Sequence, residues 1–414
     1  MKSARIVVVG GGAAGFFAAI ACAEARPGAE VMILEKTAHF LAKVKISGGG
    51  RCNVTHACFE PREFARRYPR GERALISALQ KFSARDTVTW FAERGVELKT
   101  EADGRMFPVT DSSQTIVDCL QRAAANAGVV LKANCEVANV AKLPGGFGLK
   151  LTNGTAIACD CLLIATGGCR TAALAQLAVS LGHKLEPPVP SLFTFHIAAS
   201  WLGGLAGVAV EDAEAAIANA GIRQRGAMLI THWGVSGPAI LRLSAWGARW
   251  LHEQNYRFSL LVNWLPNWTD EKLADEFASR RRSQPAKLVL NFPVAPLSAR
   301  LWTQLVAAAG VSADTRWSAL GRAAQHRLIQ QLRRSEFSVT DKSLNKDEFV
   351  TCGGVALAEV DFKNMASKNC PGLFFAGEVL DVDGVTGGFN FQAAWTTGWL
   401  AGRAMAQLKT TSAS

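Results

Sequence analysis

Four short glycine-rich stretches hold the residues whose type and spacing could do chemistry. The first is Gly10-Gly11-Gly12-Ala13-Ala14-Gly15, which follows the apolar run Ile6 to Val9 and precedes a helical pattern over Phe16 to Glu24. Gly10, Gly12 and Gly15 stand where a strand-to-helix turn needs, in order, unusual dihedrals, room for a pyrophosphate, and close helix packing. The backbone N–H groups there, those of Ala13 and Ala14 included, and the positive end of the helix then face the phosphates. A second strand, Val31 to Leu34, ends in Glu35 and Lys36, and Glu35 falls 20 residues after Gly15. A carboxylate at that distance accepts hydrogen bonds from the ribose hydroxyls of a dinucleotide and disfavours a 2′-phosphate. The plainer reading of Glu35 is a solvated strand end.

The second stretch, KVKISGGGRCNVT, runs from Lys43 to Thr55 and contains Ser47, Gly48, Gly49, Gly50, Arg51, Cys52 and Asn53. Three consecutive glycines do not make regular helix, so their amides are free for a ligand, and Arg51 offers a cationic fork to phosphate or flavin oxygens. The alternative is an exposed flexible loop. The third, LLIATGG, ends a hydrophobic strand at Ala165, Thr166 and Gly167 and matches a strand that returns under an adenosine half; Val137, at the start of a β run, joins the same candidate set. In the fourth, Gly377 and Glu378 end a strand, Asp381 and Asp383 follow, and Gly387-Gly388 lead into Phe389-Asn390-Phe391-Gln392. An acid at a strand end can hold a ribitol hydroxyl. A Gly-Gly helix start aims free N–H groups at a flavin pyrimidine oxygen and stabilises negative charge on reduced flavin. A calcium loop is the other reading of the two aspartates, but the required ligand spacing is absent. The first and last stretches are the two halves of one site, and the cofactor they imply is FAD.

Two further residues carry alternatives. His232, in Thr231-His232-Trp233-Gly234-Val235-Ser236-Gly237-Pro238, is either part of a well-formed helix start, with Pro238 in the first turn, or a proton donor beside flavin. Cys52 has no partner at C-x-x-C spacing, which favours a small packed side chain over a redox thiol.

The elements that must position these residues are strands at Ile6–Val9, Val31–Leu34 and Leu162–Ala165, alternating with helical patterns at Ala74–Gly95 and Ser113–Ala127. Between Val137 and Cys161 a β-meander is broken at Gly145-Gly146 and Asn153-Gly154. Parallel-strand signals stop after residue 190. An inserted domain over 191–347 is expected, with its β part at about 191–265 and its helical part at about 266–347, including helices at Lys272–Ser283 and Ala313–Arg334. Val210 to Ala220 reads equally as helix or strand. The α/β pattern resumes over 348–408, with a strand at Val355–Val360, and a frayed tail at 409–414 closes the chain.

Composition narrows the class. The chain has 414 residues, 49% hydrophobic and 19% charged, which suits a globular protein of two or three domains. No apolar run is long enough for a membrane span, and a Gly-rich turn inside the first apolar run argues against a leader. The ten cysteines show neither zinc nor disulfide spacing, so reduced thiols in the cytoplasm and no metal are expected. Net charge is +11 but scattered, with clusters only at Arg280-Arg281-Arg282 and Arg333-Arg334, so a nucleic-acid partner is not expected.

Taken together, GGGAAG, SGGGRCNVT, DGRMFPVTDSSQTIVD, ATGG, THWGVSGPAILRLS, MASKN and GEVLDVDGVTGGFNFQAAW resemble the BaiN/RdsA-type family of FAD-dependent oxidoreductases, also known as YhiN-like or aminoacetone-oxidase-family flavoproteins. The resemblance covers almost the whole chain. It implies an α/β, Rossmann-like two-dinucleotide-binding-domain FAD fold split by an inserted β-barrel and helical subdomain, with noncovalent FAD; characterised relatives include a reductase of steroid-like enones. Here Cys169-Arg170-Thr171-Ala172 leads into an Ala/Leu helix where relatives continue with Ser, Pro and a Gly-rich turn, so the chain looks like a divergent branch. The expected activity is hydride transfer between flavin and a small or medium organic substrate such as an enone or ketone, entering between the FAD domain and the insert. NADH or NADPH is expected as a transient donor, since a second nucleotide fingerprint is missing, with dioxygen as acceptor in an oxidase variant. The rivals are an FAD-dependent RNA-modifying protein and a flavin-binding sensor or assembly protein without turnover.

Overall fold

The computed structural model describes residues 3–169, 172–198, 201–343 and 350–408. The expected tail at 409–414, the boundary at 347/348, and Arg170-Thr171 lie outside the described residues. Two compact units are found, Met1–Pro190 with Lys346–Ser414, and Ser191–Asn345.

The first unit is built on a seven-stranded sheet in the order Val360–Asp361, Ala366–Ser367, Leu373–Phe375, Cys161–Ile164, Arg5–Val9, Glu30–Leu34, Val130–Lys132. The last five strands run parallel, in registers such as Val7 beside Leu162 and Met32. Ile6 to Val9 and Cys161 to Ile164 are buried throughout, as expected of strands covered on both faces. The first helix, Ala13–Ala25, is apolar on nearly every side, and full burial of Phe16, Phe17 and Ile20 contributes about 1.5–3 kcal/mol each. A three-stranded meander, Val137–Leu143, Gly146–Leu151 and Ala156–Cys159, turns at Gly145 (φ 82°) and Gly154 (φ 87°), as its glycine dipeptides predict.

Local boundaries depart from expectation at several places. Ala74–Gly95 is two helices, Glu72–Leu79 and Ala84–Ala92, because Ser83 and Asp86 form a reciprocal capping box that starts a new helix. Val355–Val360 is not one strand: Val350–Val355 pairs with Leu185–Ser191, and a short 3-10 turn follows at Leu357–Glu359.

The second unit holds a closed barrel in the order Thr194–Ile197, Gly234–Ser236, Arg223–Ile230, Ala209–Ile217, Phe258–Asn263, Ser335–Ser343. The ambiguous alanine-rich run is a strand: its alternate residues Ala213, Ala215 and Ile217 face inward with period two. The barrel does not finish near residue 265. Its closing strand, Ser335–Ser343, follows the helices and pairs with both Phe258–Asn263 and Thr194–Ile197. The α-helices between Phe258–Asn263 and Ser335–Ser343 are Asp270–Ser283, Ala299–Ala308 and Arg322–Arg334, the last shorter than Ala313–Arg334 because a 3-10 turn at Trp317–Ala319 precedes it. Buried Trp264 and Trp302 anchor this unit through indole N–H bonds to Ser335 Oγ (2.8 Å) and the Val289 carbonyl (2.9 Å).

Candidate cofactor site

Strand Arg5–Val9 delivers the first glycine turn. Gly10 has φ 116°, and a Cβ there would lie 2.3 Å from the Ala165 carbonyl oxygen; one on Gly15 would lie 2.0 Å from the Gly10 carbonyl oxygen. At Gly12 a Cβ would meet nothing within 4 Å. Gly10 and Gly15 are thus required by the protein itself, whereas Gly12 borders open space. Gly12 caps the helix without a side-chain bond, so the first-turn N–H groups of Ala13, Ala14 and Gly15 face outward from the turn. Glu35 accepts from Gly11 N–H (2.9 Å) with one oxygen and from Thr37 N–H and Oγ1 (both 2.9 Å) with the other. Lys36 beside it is exposed. The chain entering Val137 runs alongside, since Cys135 N–H donates to the Glu35 carbonyl (2.8 Å) and Asn134 N–H to that of Thr37 (3.0 Å).

The last helix, Phe389–Gln407, starts at Gly388 (φ 92°), again with no side-chain cap. It packs parallel to the first helix through glycines. A Cβ on Gly398 would lie 2.5 Å from the Ala14 carbonyl oxygen, and one on Gly402 2.2 Å from that of Ala18. Nine residues separate Phe389 from Gly398, so at 1.5 Å per residue the last helix begins about 12 Å ahead of the first. Two uncapped helix starts therefore stand side by side, offset by about the reach of a ribityl chain and a flavin ring.

Gly377 lies against the first helix, its would-be Cβ 2.8 Å from that of Ala14. Next to it, Glu378 accepts from Lys43 Nζ (2.7 Å) and Thr351 N–H (2.9 Å). A Cβ on Gly168 would strike Thr351, and the buried Oγ1 atoms of Thr166 and Thr351 have no hydrogen-bond partner. A buried hydroxyl left so costs about 1–3 kcal/mol. Orphaned hydroxyls beside open glycine turns fit a polyhydroxylated, phosphate-bearing ligand.

Other expected site residues are turned to partners within the chain. Arg51 donates to Glu101 (2.6 Å), lies 3.6 Å from Asp111 and covers the Phe107 ring at 4.0 Å, so acids of the following hairpin, rather than an open fork, hold it. Short helical turns begin at Ala42, but Ser47 is extended and Gly48 and Gly49 are left-handed, leaving Gly49 and Gly50 with open space around them. Burial pushes the Cys52 thiol up to about 12, which keeps it protonated and fits a packed role. The Asn53 amide, oriented to satisfy both neighbours, accepts from Gly388 N–H and donates to the Thr55 carbonyl, each at 3.0 Å. Asp383 is fully buried and bound by both arms of Arg70, and Asp381 accepts from Gly353 N–H (3.0 Å). Asn390 bonds back to Gly384, and Phe389 stacks on His56 at 4.9 Å. His232 belongs to the second unit, exposed in the turn Thr231–Gly234; the adjoining helix starts at Pro238 with Gly237 as cap.

Thr351, Arg70 and Tyr68, whose hydroxyl donates to the Phe389 carbonyl at 2.6 Å, were not legible as site residues. Arg70 and Tyr68 act on partners 313 and 321 residues away in the chain, and Thr351 on Glu378, 27 residues on.

A family model described as the HI0933-like protein Rossmann domain matches residues 4–404. The chain belongs to this family. It is 29% identical to a 3-dehydro-bile acid delta(4,6)-reductase of Clostridium scindens, over 97% of this chain and 99% of that protein. It is 32% identical to a ribosomal RNA dihydrouridine synthase of Escherichia coli, over 96% of this chain and 97% of that one. Among solved structures it resembles 3-ketosteroid delta1-dehydrogenase from Sterolibacterium denitrificans in complex with 1,4-androstadiene-3,17-dione, with TM-score 0.53 and 12% identity over 98% of this chain and all of the other. The family resemblance read from the motifs holds. The fold is the FAD-binding Rossmann type with a six-stranded closed barrel, and the cofactor that goes with it is FAD.

Proposed function

We propose that this chain is an FAD-dependent reductase that saturates a carbon–carbon double bond conjugated with a carbonyl. The observation that carries the reading is the pair of parallel, uncapped helix starts offset by about 12 Å, with Glu378, Lys43 and the unpaired Thr166 and Thr351 hydroxyls beside the first. In this reading the Gly12–Gly15 amides hold the pyrophosphate, Glu35 the adenosine ribose, Glu378 with Thr351 the ribityl hydroxyls, and the Gly387-Gly388 helix start the flavin pyrimidine edge. Bound FAD supplies the hydride chemistry. The names of the two curated relatives support the bond type: a 3-oxo-Δ4 system and a uracil ring both carry a C=C polarised by a carbonyl, and each name describes its hydrogenation. NADH or NADPH is the proposed donor. His232 is the candidate for the accompanying proton, and His232→Asn would lower turnover by roughly 10²-fold or more without changing flavin content. All ten cysteines are unpaired, which supports a reducing, cytoplasmic setting. Among the described residues no helix is long and apolar enough to cross a membrane.

The test is anaerobic. Flavin bleached by NADPH should regain its absorbance on addition of a 3-oxo-Δ4 steroid, and an enone-inert, uridine-inert flavin would contradict the proposal. The second reading, reduction of uridine in RNA, draws on the second relative and on the net charge of +11. Against it, the basic clusters are engaged within the chain: Arg280 binds Glu276 and the Phe292 carbonyl, Arg281 the Leu320 carbonyl, and Arg333 faces Asp270. Reoxidation by a uridine-containing RNA but not by the enone would select it.

A further inference from the structure

Outside the proposed cofactor site, the second unit has a cavity of about 360 Å³ on the outer wall of the barrel. Its floor is the outward face of the hairpin Ala209–Ile217 and Arg223–Ile230 with Phe258–Asn263, and its rim is the end of helix Arg322–Arg334. Arg223, Arg333 and Arg334 line it, against a single carboxylate, Glu214. The side chains of Arg223 and Arg334 form no hydrogen bond or ion pair with another described residue. Arg333 Nε lies 3.2 Å from Asp270 yet out of line for a hydrogen bond, and it is buried without an aligned acceptor. Asn263 accepts from Leu265 N–H through its carbonyl oxygen (3.0 Å), so its NH₂ is left to donate. The lining is thus rich in donors and short of acceptors.

We propose that this cavity binds a small phosphorylated metabolite. Planar guanidinium forks match tetrahedral phosphate oxygens, and two unpaired arginines balance a dianion. The volume exceeds that of bare phosphate and falls at the lower end of small-molecule sites, about 300–1,000 Å³, which leaves room for a sugar-sized remainder. This site is separate from the redox reading and stands whether or not that reading survives.

The test is calorimetric titration of the flavin-loaded full chain at low salt with ribose 5-phosphate, inorganic phosphate and a uridine-containing RNA oligonucleotide. Ribose 5-phosphate should bind saturably and more tightly than inorganic phosphate. The double variant Arg223→Ala/Arg334→Ala should weaken it at least tenfold while flavin content and the ligand-free melting temperature stay unchanged. The proposal is overturned by non-saturable binding, by binding that survives the double variant, or by RNA binding that the variant abolishes while ribose 5-phosphate shows none.

Discussion

The start of the first helix and its flank make the instructive contrast, because both depend on glycine for opposite reasons. At Gly12 a side chain would enter empty space; along the flank, Gly398 and Gly402 are glycine because the Ala14 and Ala18 backbone already occupies the room. The flank is a region that the protein fills with itself. The start is one that it leaves open, and the orphaned Thr166 and Thr351 hydroxyls belong with it. Substitutions in filled regions should therefore act on stability, and those in open regions on cofactor.

The largest effect is expected at Arg70. Arg70→Ala would strip the fully buried Asp383 carboxylate of its guanidinium partner, a loss of about 3–5 kcal/mol. Urea unfolding checks it, and a loss below about 1 kcal/mol would put that acidic loop among the open regions. Gly402→Val comes next: a Cβ 2.2 Å from the Ala18 carbonyl oxygen forces the helices apart, at about 1–3 kcal/mol or more, with flavin lost only as stability falls. Thr351→Val should do the reverse. Removing an unpaired buried hydroxyl stabilises the flavin-free protein by about 1 kcal/mol, while flavin affinity drops several-fold; lower stability of the flavin-free form would mean that the hydroxyl is already satisfied.

The smallest effect is one of pH, in another filled region. Burial pulls His183 below the ordinary histidine value of 6.5, with Glu359, at 3.0 Å, pulling the other way. The unfolded chain then takes up a proton more readily than the folded one, so this contribution is present above about pH 6.5 and is lost as pH falls. Unfolding of His183→Gln between about pH 7.5 and 5.5 should show a shallower acid decline than wild type. An unchanged decline would assign it elsewhere, for instance to His56, which burial also lowers.

What was legible in the sequence was for the most part local. The glycine turns at Gly10–Gly15 and Gly387-Gly388, the helix start at Pro238 and the meander turns are decided by neighbours a few residues apart, although the equally local capping box of Ser83 and Asp86 was missed. Long-range pairing was not legible. The alanine-rich Ala209–Ile217 has no strong propensity of its own, and its partners in the barrel decide that it is a strand. The closing strand Ser335–Ser343 alternates between buried and exposed over most of its length, but it follows directly on a helix, and its partners, Phe258–Asn263 and Thr194–Ile197, lie far back in the chain. Arg51 shows the same limit within the site: its type was informative, but its direction is set by Glu101, 50 residues on.

The most direct measurement of the central claim is the flavin content and thermal stability of Gly12→Val. Its φ of −93° suits any residue, and the added side chain meets no protein atom within 4 Å of its Cβ. The account predicts a melting temperature equal to that of flavin-free wild type, to within about 0.5 kcal/mol of stability, and no bound FAD. A variant that still purifies with stoichiometric FAD would contradict it.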